Sequence, residues 1–367
     1  MLALVIGGGV VGLAVARALA LRGHEVLVAE ATGGIGNGIS SRNSEVVHGG
    51  MYYPEGSLKA VHCVRGRGLL EAYCGDRRLP YARLGKLIVA SRQAEVQRLE
   101  ALRDLGTRNG VTGLRLLSGA EARALEPELA GEAALMSPET GILDTHALML
   151  SFLGDIEDTG GSIAYGTVVE HLEPDPAGGW RVGLAADPDD PLTFDAVVNA
   201  AGLGAVALAG AAAGYPPERV PKLRYAKGSY FSYPGRPVFS RLIYPVPVDG
   251  GLGIHLTLDL AGRMRFGPDV EWVERPAYDV DPTRAASFCA SIRQYWPGLP
   301  DDALVPDYAG IRPKLAGPGE GFSDFLIDGP AEHGMRGLVH LFGIESPGIT
   351  ASMSLAEDVS DRLEAGT

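Results

Sequence analysis

The first thirty residues constrain this chain more than any other stretch. Leu2-Ala-Leu-Val-Ile6 is an apolar run of strand length, and it empties into Gly7-Gly-Gly9-Val-Val-Gly12. Leu13 to Leu21 then reads as a helix, and Val26-Leu27-Val28-Ala29 as a second strand that Glu30 closes. Strand, glycine turn, helix and strand in this order make a βαβ unit with G-x-G-x-x-G at its first turn. Gly7 permits the tight turn, Gly9 lets backbone approach a pyrophosphate, and Gly12 lets helix and strand pack closely. With Val10 and Val11 they are the expected pyrophosphate contacts, because a helix N-terminus offers unpaired N–H groups and a favourable dipole to an anion. Glu30 stands 18 residues after Gly12, where it is placed to bond a ribose hydroxyl. An acid there favours a free 2′-hydroxyl, which argues against NADP. Between NAD and FAD this stretch does not decide.

An apolar N-terminus also has the look of a signal peptide or a membrane span. Here the basic residues that should precede it, Arg17 and Arg22, lie inside and after the apolar run, so the segment is read as retained. No other apolar run approaches the ~20 residues of a membrane helix, so no integral membrane segment is expected. A net charge of −13 argues against a nucleic-acid partner, which selects basic faces. The three cysteines, Cys63, Cys74 and Cys289, are too scattered for a disulfide framework or a zinc site. The expectation is no metal and a reducing, cytoplasmic home, with peripheral contact at the inner face of a membrane left open.

The polar, glycine-rich loop after Glu30 is the first feature that favours FAD. Gly33-Gly-Ile-Gly-Asn-Gly-Ile-Ser-Ser41-Arg42-Asn43-Ser44 suits the remaining phosphates and ribityl chain of a flavin, where nicotinamide folds usually turn into another helix. Ser41, Arg42 and Asn43 are its expected contacts. Helices follow over Leu58 to Tyr73, 93 to 107, 116 to 129 and Thr145 to Asp158. Strands are read at 87–90, 163–165, 167–171 and 180–184, and Val168 on the third of these is taken as a further cofactor contact. The buried strand from Phe194 ends in Asn199-Ala200-Ala201-Gly202, small enough at Ala201 and Gly202 to pass a nucleotide. From about Leu223 the alternation is antiparallel, and 280 to 296 reads as one helix. The chain then returns through strands at 325–328 and 338–342. Gly343, Ser346, Pro347, Gly348, Ile349 and Thr350 shape the start of a last helix, with Thr350 as its cap. A second helix N-terminus is thus offered to negative charge on a reduced flavin.

The fold class is α/β (α+β overall), a Rossmann-like FAD-binding domain with a second, mostly antiparallel sheet domain for the substrate. The expected boundaries are 1–80, 142–222 and 305–367 for the first and 81–141 and 223–304 for the second.

These motifs are familiar together. The N-terminal G-x-G-x-x-G, Val197-Val-Asn-Ala-Ala-Gly202, Gly310-Ile-Arg-Pro313 and Gly343…Gly348-Ile-Thr350 resemble the D-amino-acid-oxidase superfamily of FAD enzymes over nearly the whole chain. Four stretches are similar to L-2-hydroxyglutarate dehydrogenases or oxidases: Ser41 to Tyr53, Gly56-Ser-Leu-Lys59-Ala60, Ile243-Tyr-Pro-Val-Pro247 with Gly253-Ile-His-Leu-Thr257, and Gly343-Ile-Glu-Ser-Pro-Gly348. The resemblance implies oxidation of a 2-hydroxy acid to the 2-oxo acid, with the hydride passing to flavin N5. An amino-acid or amine oxidase of the same fold is the competing reading.

That reaction needs a base near neutral pH and a cation for the carboxylate. His48, in the glycine-rich loop, and His255, on the second sheet, are the candidates for the base. Arg312 matches the superfamily's carboxylate-binding arginine in its Gly-x-Arg-Pro setting. Lys59 and Lys227 are candidates for a second carboxylate, and Tyr53 and Tyr244 for pocket walls. The electron acceptor is left open among oxygen, a quinone and a carrier protein.

Overall fold

The computed structural model describes residues 1–247 and 253–365. Within them the chain packs into two compact units, Met1–Ser41 with Thr145–Arg224 and Pro313–Thr367, and Arg42–Asp144 with Tyr225–Arg312.

The first unit is built on a six-stranded sheet in the order Leu326–Asp328, Leu338–Phe342, Ala196–Asn199, Leu2–Ile6, Glu25–Glu30, Ser162–Tyr165. All pairs are parallel except Leu326–Asp328 with Leu338–Phe342. Parallel strands are buried on both faces, and so they read as unbroken apolar runs. The helix Val10–Leu21 is apolar almost all round because it packs on the sheet and against Thr145–Asp158 and Gly348–Ala365. Its one charge on that side, Arg17, meets the buried Asp155 at 2.5 Å. A three-stranded antiparallel sheet, Val169–Pro174, Trp180–Leu184 and Asp187–Phe194, completes the unit.

The second unit holds a nine-stranded sheet in which Leu242–Pro245 pairs parallel with Lys86–Ala90, and Lys86–Ala90 pairs antiparallel with Ala133–Ser137. Three short strands, Val46–Val47, Gly141–Leu143 and Tyr81–Ala82, form a smaller sheet in it. The core gathers Leu87, Val89, Phe231, Ile243, Leu256, Phe266, Phe288 and Trp296. The fold class expected from sequence is the one observed.

Local differences have local causes. The helix expected over 280–296 is reduced to Ala285–Ile292, since Pro282 opens a 3-10 turn and glycine follows at 298. The segment 116–129 gives its first residues to a strand, Arg115–Ser118, before the helix Gly119–Leu125. Ser118 caps that helix in a reciprocal bond pair with Glu121. Asp187–Phe194 pairs as a strand despite three acids and two prolines among its eight residues, carried by its antiparallel neighbour. Thr350 lies inside the first turn of Gly348–Ala365 instead of capping it. By packing, residues 42–80 group with the second unit, whereas the expected boundaries placed them with the first.

Candidate functional site

The strand Leu2–Ile6 ends at Gly7, whose φ of +112° is open to glycine alone among the residue types that would fit. A Cβ there would meet the carbonyl oxygen of Ala200, where the strand Ala196–Asn199 ends alongside. At Gly12 a Cβ would stand 2.0 Å from the Gly7 carbonyl oxygen, so the helix could not seat on the turn with any larger residue. Gly8 is confined too, by Glu30 at 2.9 Å from its would-be Cβ. Gly9 precedes the helix with no side chain of its own to cap it. Instead Ser40 Oγ accepts the Val10 N–H at 3.0 Å, and the following amides of Val11 and Gly12 precede any i−4 partner. The result is a bare helix N-terminus on a turn cleared of side chains.

Glu30 is almost fully buried at the end of its strand. One carboxylate oxygen accepts the Gly8 N–H at 2.7 Å, and the other accepts the Thr32 N–H and hydroxyl at 2.8 and 2.7 Å. Glu30 therefore ties the glycine turn to the loop after the second strand. Four lone-pair directions on a carboxylate leave it capacity for a further donor. Val168 lies just past this end, where the Thr167 N–H bonds the Glu30 carbonyl at 2.9 Å.

The second helix N-terminus lies in the same unit. Gly343 (φ +66°) ends the strand Leu338–Phe342, and a Cβ on it would meet Leu315 at 2.7 Å. Glu345 in this turn is buried and pairs with Lys314 at 2.5 Å, after which Gly348 starts the helix. Asn199 fixes the neighbouring strand end, donating to the Ala205 carbonyl at 2.8 Å and meeting His340 Nδ1 at 2.9 Å. The backbone then turns through Ala201 and Gly202 (φ +57°).

In the second unit a different set converges. His255 is buried and stacks on Tyr244 with ring centres 3.6 Å apart and planes 7° from parallel. The Lys86 ammonium lies 4.4 Å from the Tyr244 ring centre and 4.7 Å from that of Tyr52. Burial lowers Lys86 to about 7, opposed by Cys63, whose own thiol burial raises to about 12. Burial and then the Lys86 charge push His48 down to about 3, so this imidazole is neutral through the physiological range. Burial holds the Tyr52 and Tyr244 phenols far above their ordinary range. The same unit holds a second aromatic pair, Tyr230 stacked on Tyr308 at 4.5 Å.

A family model described as DAO, FAD dependent oxidoreductase, matches residues 3–362. The chain belongs to the DAO family of FAD-dependent oxidoreductases. An Arabidopsis thaliana protein named L-2-hydroxyglutarate dehydrogenase, mitochondrial, is 46% identical over 398 residues, covering 98% of this chain and 82% of the relative. A Homo sapiens protein of the same name is 30% identical over 411 residues, covering 98% and 88%. Among solved structures, FAD-bound L-alpha-glycerophosphate oxidase from Mycoplasma pneumoniae superposes with a TM-score of 0.88 at 23% identity, covering 99% of this chain and 94% of its own. Glycine oxidase from Geobacillus kaustophilus gives 0.82 at 20%, covering 100% and 95%. At those identities the two structures speak for the fold alone.

The cofactor of this DAO-family enzyme is FAD, and the cradle suits it. Clearing of Cβ atoms at Gly7, Gly8 and Gly12, an uncapped helix N-terminus and an acceptor at Glu30 are what a pyrophosphate and a ribose require. Ser40 reaches the helix, and beside it the hydroxyl of Ser41, an expected cofactor contact, donates to the Gly38 carbonyl at 3.2 Å. Arg42 and Asn43 bond within the second unit, Arg42 to the Ala309 carbonyl and over the Tyr278 ring, Asn43 through Tyr308.

Of the expected substrate contacts, His48, Tyr244 and His255 fall in one neighbourhood. Lys227 is buried but meets Asp279 at 3.3 Å. Lys59 is buried on the helix Leu58–Arg77, and the Tyr53 carbonyl accepts from Asn109 at 2.8 Å. Arg312 spends Nε on the Ala226 carbonyl and Nη2 on those of Lys227 and Asp269, which straps its strand to Arg224–Tyr233. Sequence reading missed Lys86 and Tyr52. The only signal for Lys86 was a charge at the head of the apolar run 87–90, which ordinarily marks the edge of a strand. Among the described residues no helix is long and apolar enough to cross a membrane.

Proposed function

We propose that this enzyme oxidises L-2-hydroxyglutarate to 2-oxoglutarate. The reading rests above all on 46% identity across 98% of the chain to a relative named for that substrate. When bound, FAD supplies the two-electron acceptor for the hydrogen leaving C2. Gly7, Gly9, Val10, Val11, Gly12 and Glu30 would hold its pyrophosphate and ribose. Val168, Ala201, Gly202, Gly343 and Ser346 to Thr350 would supply the further contacts, with Ser40 fixing the helix they meet.

Residues of the second unit would hold the acid and move its proton. Removal of hydride from C2 leaves a protonated, cationic carbonyl unless the hydroxyl proton departs, so a base is needed. His255 takes that role: it is buried, and the Tyr244 ring fixes its plane. His48 is the poorer acceptor, because an imidazolium there would face the Lys86 charge as well as desolvation. Arg312 keeps a carboxylate role only through Nη1, the nitrogen its backbone bonds leave over. The three unbridged cysteines suit a reducing compartment, and the plant and human relatives carry "mitochondrial" in their names.

The test is an anaerobic absorbance titration of the purified holoenzyme with L-2-hydroxyglutarate, its D enantiomer, L-lactate and glycine. Bleaching of the oxidised flavin band by the L-hydroxy acid alone is expected. Bleaching by glycine instead would move the chain to the amine-oxidising branch, which shares its fold.

A further inference from the structure

Lys86 is fully buried, and its Nζ has no hydrogen-bond partner. Lys227, in the same unit, does not share that condition, since it meets Asp279 at 3.3 Å. The ionisable groups that act on Lys86 and its neighbours supply no anion, since the Cys63 thiol is pushed up to about 12 and His48 is neutral. Beside it the buried Tyr52 hydroxyl also lacks a partner. Two donors, the ammonium over the Tyr52 ring and the hydroxyl of that ring, are thus enclosed with no acceptor bonded to either, whereas most buried polar groups of folded proteins are bonded. The Tyr52 and Tyr244 ring faces hold the ammonium in place and favour its charge, but they accept no hydrogen bond of ordinary strength. An arrangement that costs stability in the empty protein is retained where a ligand repays it.

We propose that the Lys86 ammonium, with the Tyr52 hydroxyl as second donor, is the counter-ion for a carboxylate of the substrate acid. The assignment rests on the dicarboxylate reading above and adds to it the residues that select for it. Lys86 lies on a strand locked between Leu242–Pro245 and Ala133–Ser137, so the charge is presented from a rigid element.

The test separates binding from turnover. Glutarate lacks the hydroxyl and cannot be oxidised at C2, and its affinity for the holoenzyme is read by titration calorimetry. Lys86→Met is expected to weaken glutarate at least tenfold, and Tyr52→Phe severalfold, with flavin content unchanged. Without ligand, Lys86→Met should melt at or above the wild-type temperature. Wild-type affinity in Lys86→Met, or a lowered melting temperature with affinity intact, would overturn the proposal and make Lys86 structural. So would a wild-type enzyme that binds no glutarate. If Lys86→Met does not fold, Tyr52→Phe, which removes one atom, carries the same decision. Glutarate binding that depends on Lys86, in an enzyme that L-2-hydroxyglutarate does not bleach, would sustain this assignment while refuting the proposed reaction.

Discussion

Gly12→Ala should damage both the fold and FAD binding, and the size of the damage follows from one distance. The added Cβ would stand 2.0 Å from the Gly7 carbonyl oxygen, against 3.4 Å or more for ordinary contact. The helix Val10–Leu21 must therefore lift about 1.4 Å from the turn, or the turn must deform. Inserting a methyl into such a site costs about 1–3 kcal/mol. Replacing a helical glycine by alanine returns about 1 kcal/mol. The net loss is then about 0–2 kcal/mol in the apoprotein. Lifting the helix also draws the Val11 and Gly12 amides from the phosphate they would meet, so FAD should bind at least about tenfold more weakly. Gly154, inside the helix Thr145–Asp158, is the matched control, because a Cβ there meets nothing within 4 Å. Gly154→Ala should gain roughly 0.5–1 kcal/mol and leave FAD affinity alone. The assays are denaturant unfolding of both apoproteins and FAD titration by quenching of flavin fluorescence. Wild-type stability and affinity in Gly12→Ala would refute the close-packing argument.

Three further outcomes are expected. Glu30→Ala strands the Gly8 and Thr32 amides it now accepts, so apoprotein stability should drop by about 1–3 kcal/mol and FAD affinity should fall, both measurable in the same titrations. In anaerobic stopped-flow, His255→Ala should slow flavin reduction by about 10²–10⁴-fold, with His48→Ala less affected; full rates in both variants would remove either from the role of base. Acid should destabilise the apoprotein through His48 and His340, both held by burial at about 3 against an ordinary 6.5. Between those values the unfolded chain binds more protons, so stability falls as pH falls, by up to about 5 kcal/mol for each group across the window. Urea midpoints measured from pH 7 to pH 4 should show that slope, and His48→Asn should flatten it.

The nucleotide half of this protein is legible because its determinants are local. Gly7, Gly9, Gly12 and Glu30 fall within one βαβ unit, and their spacing alone brings turn, helix end and acid together. Even there the sequence did not show that Ser40 reaches the Val10 amide, since which hydroxyl does so depends on how a loop folds back over thirty positions. The substrate half behaves differently. His48, Tyr244 and His255 were recognisable by motif, yet Arg312 turned out to spend most of its guanidinium on backbone carbonyls, which no pattern of letters records. The strand Asp187–Phe194 was hidden for the same reason, as its composition opposes a pairing that its neighbour imposes.

Sequence by itself therefore indicated the α/β class and the glycine turn, because periodicity and turn chemistry act over a few residues, and its motifs carried the resemblance to the FAD-dependent family. Only the tertiary structure decided the state of Lys86. A lysine at the head of an apolar strand reads as an exposed boundary, and it becomes a buried ammonium because segments near 52, 137 and 244 close around it. Burial, and with it the cost of a charge and the need for a partner, is a property of what the rest of the chain brings to a residue.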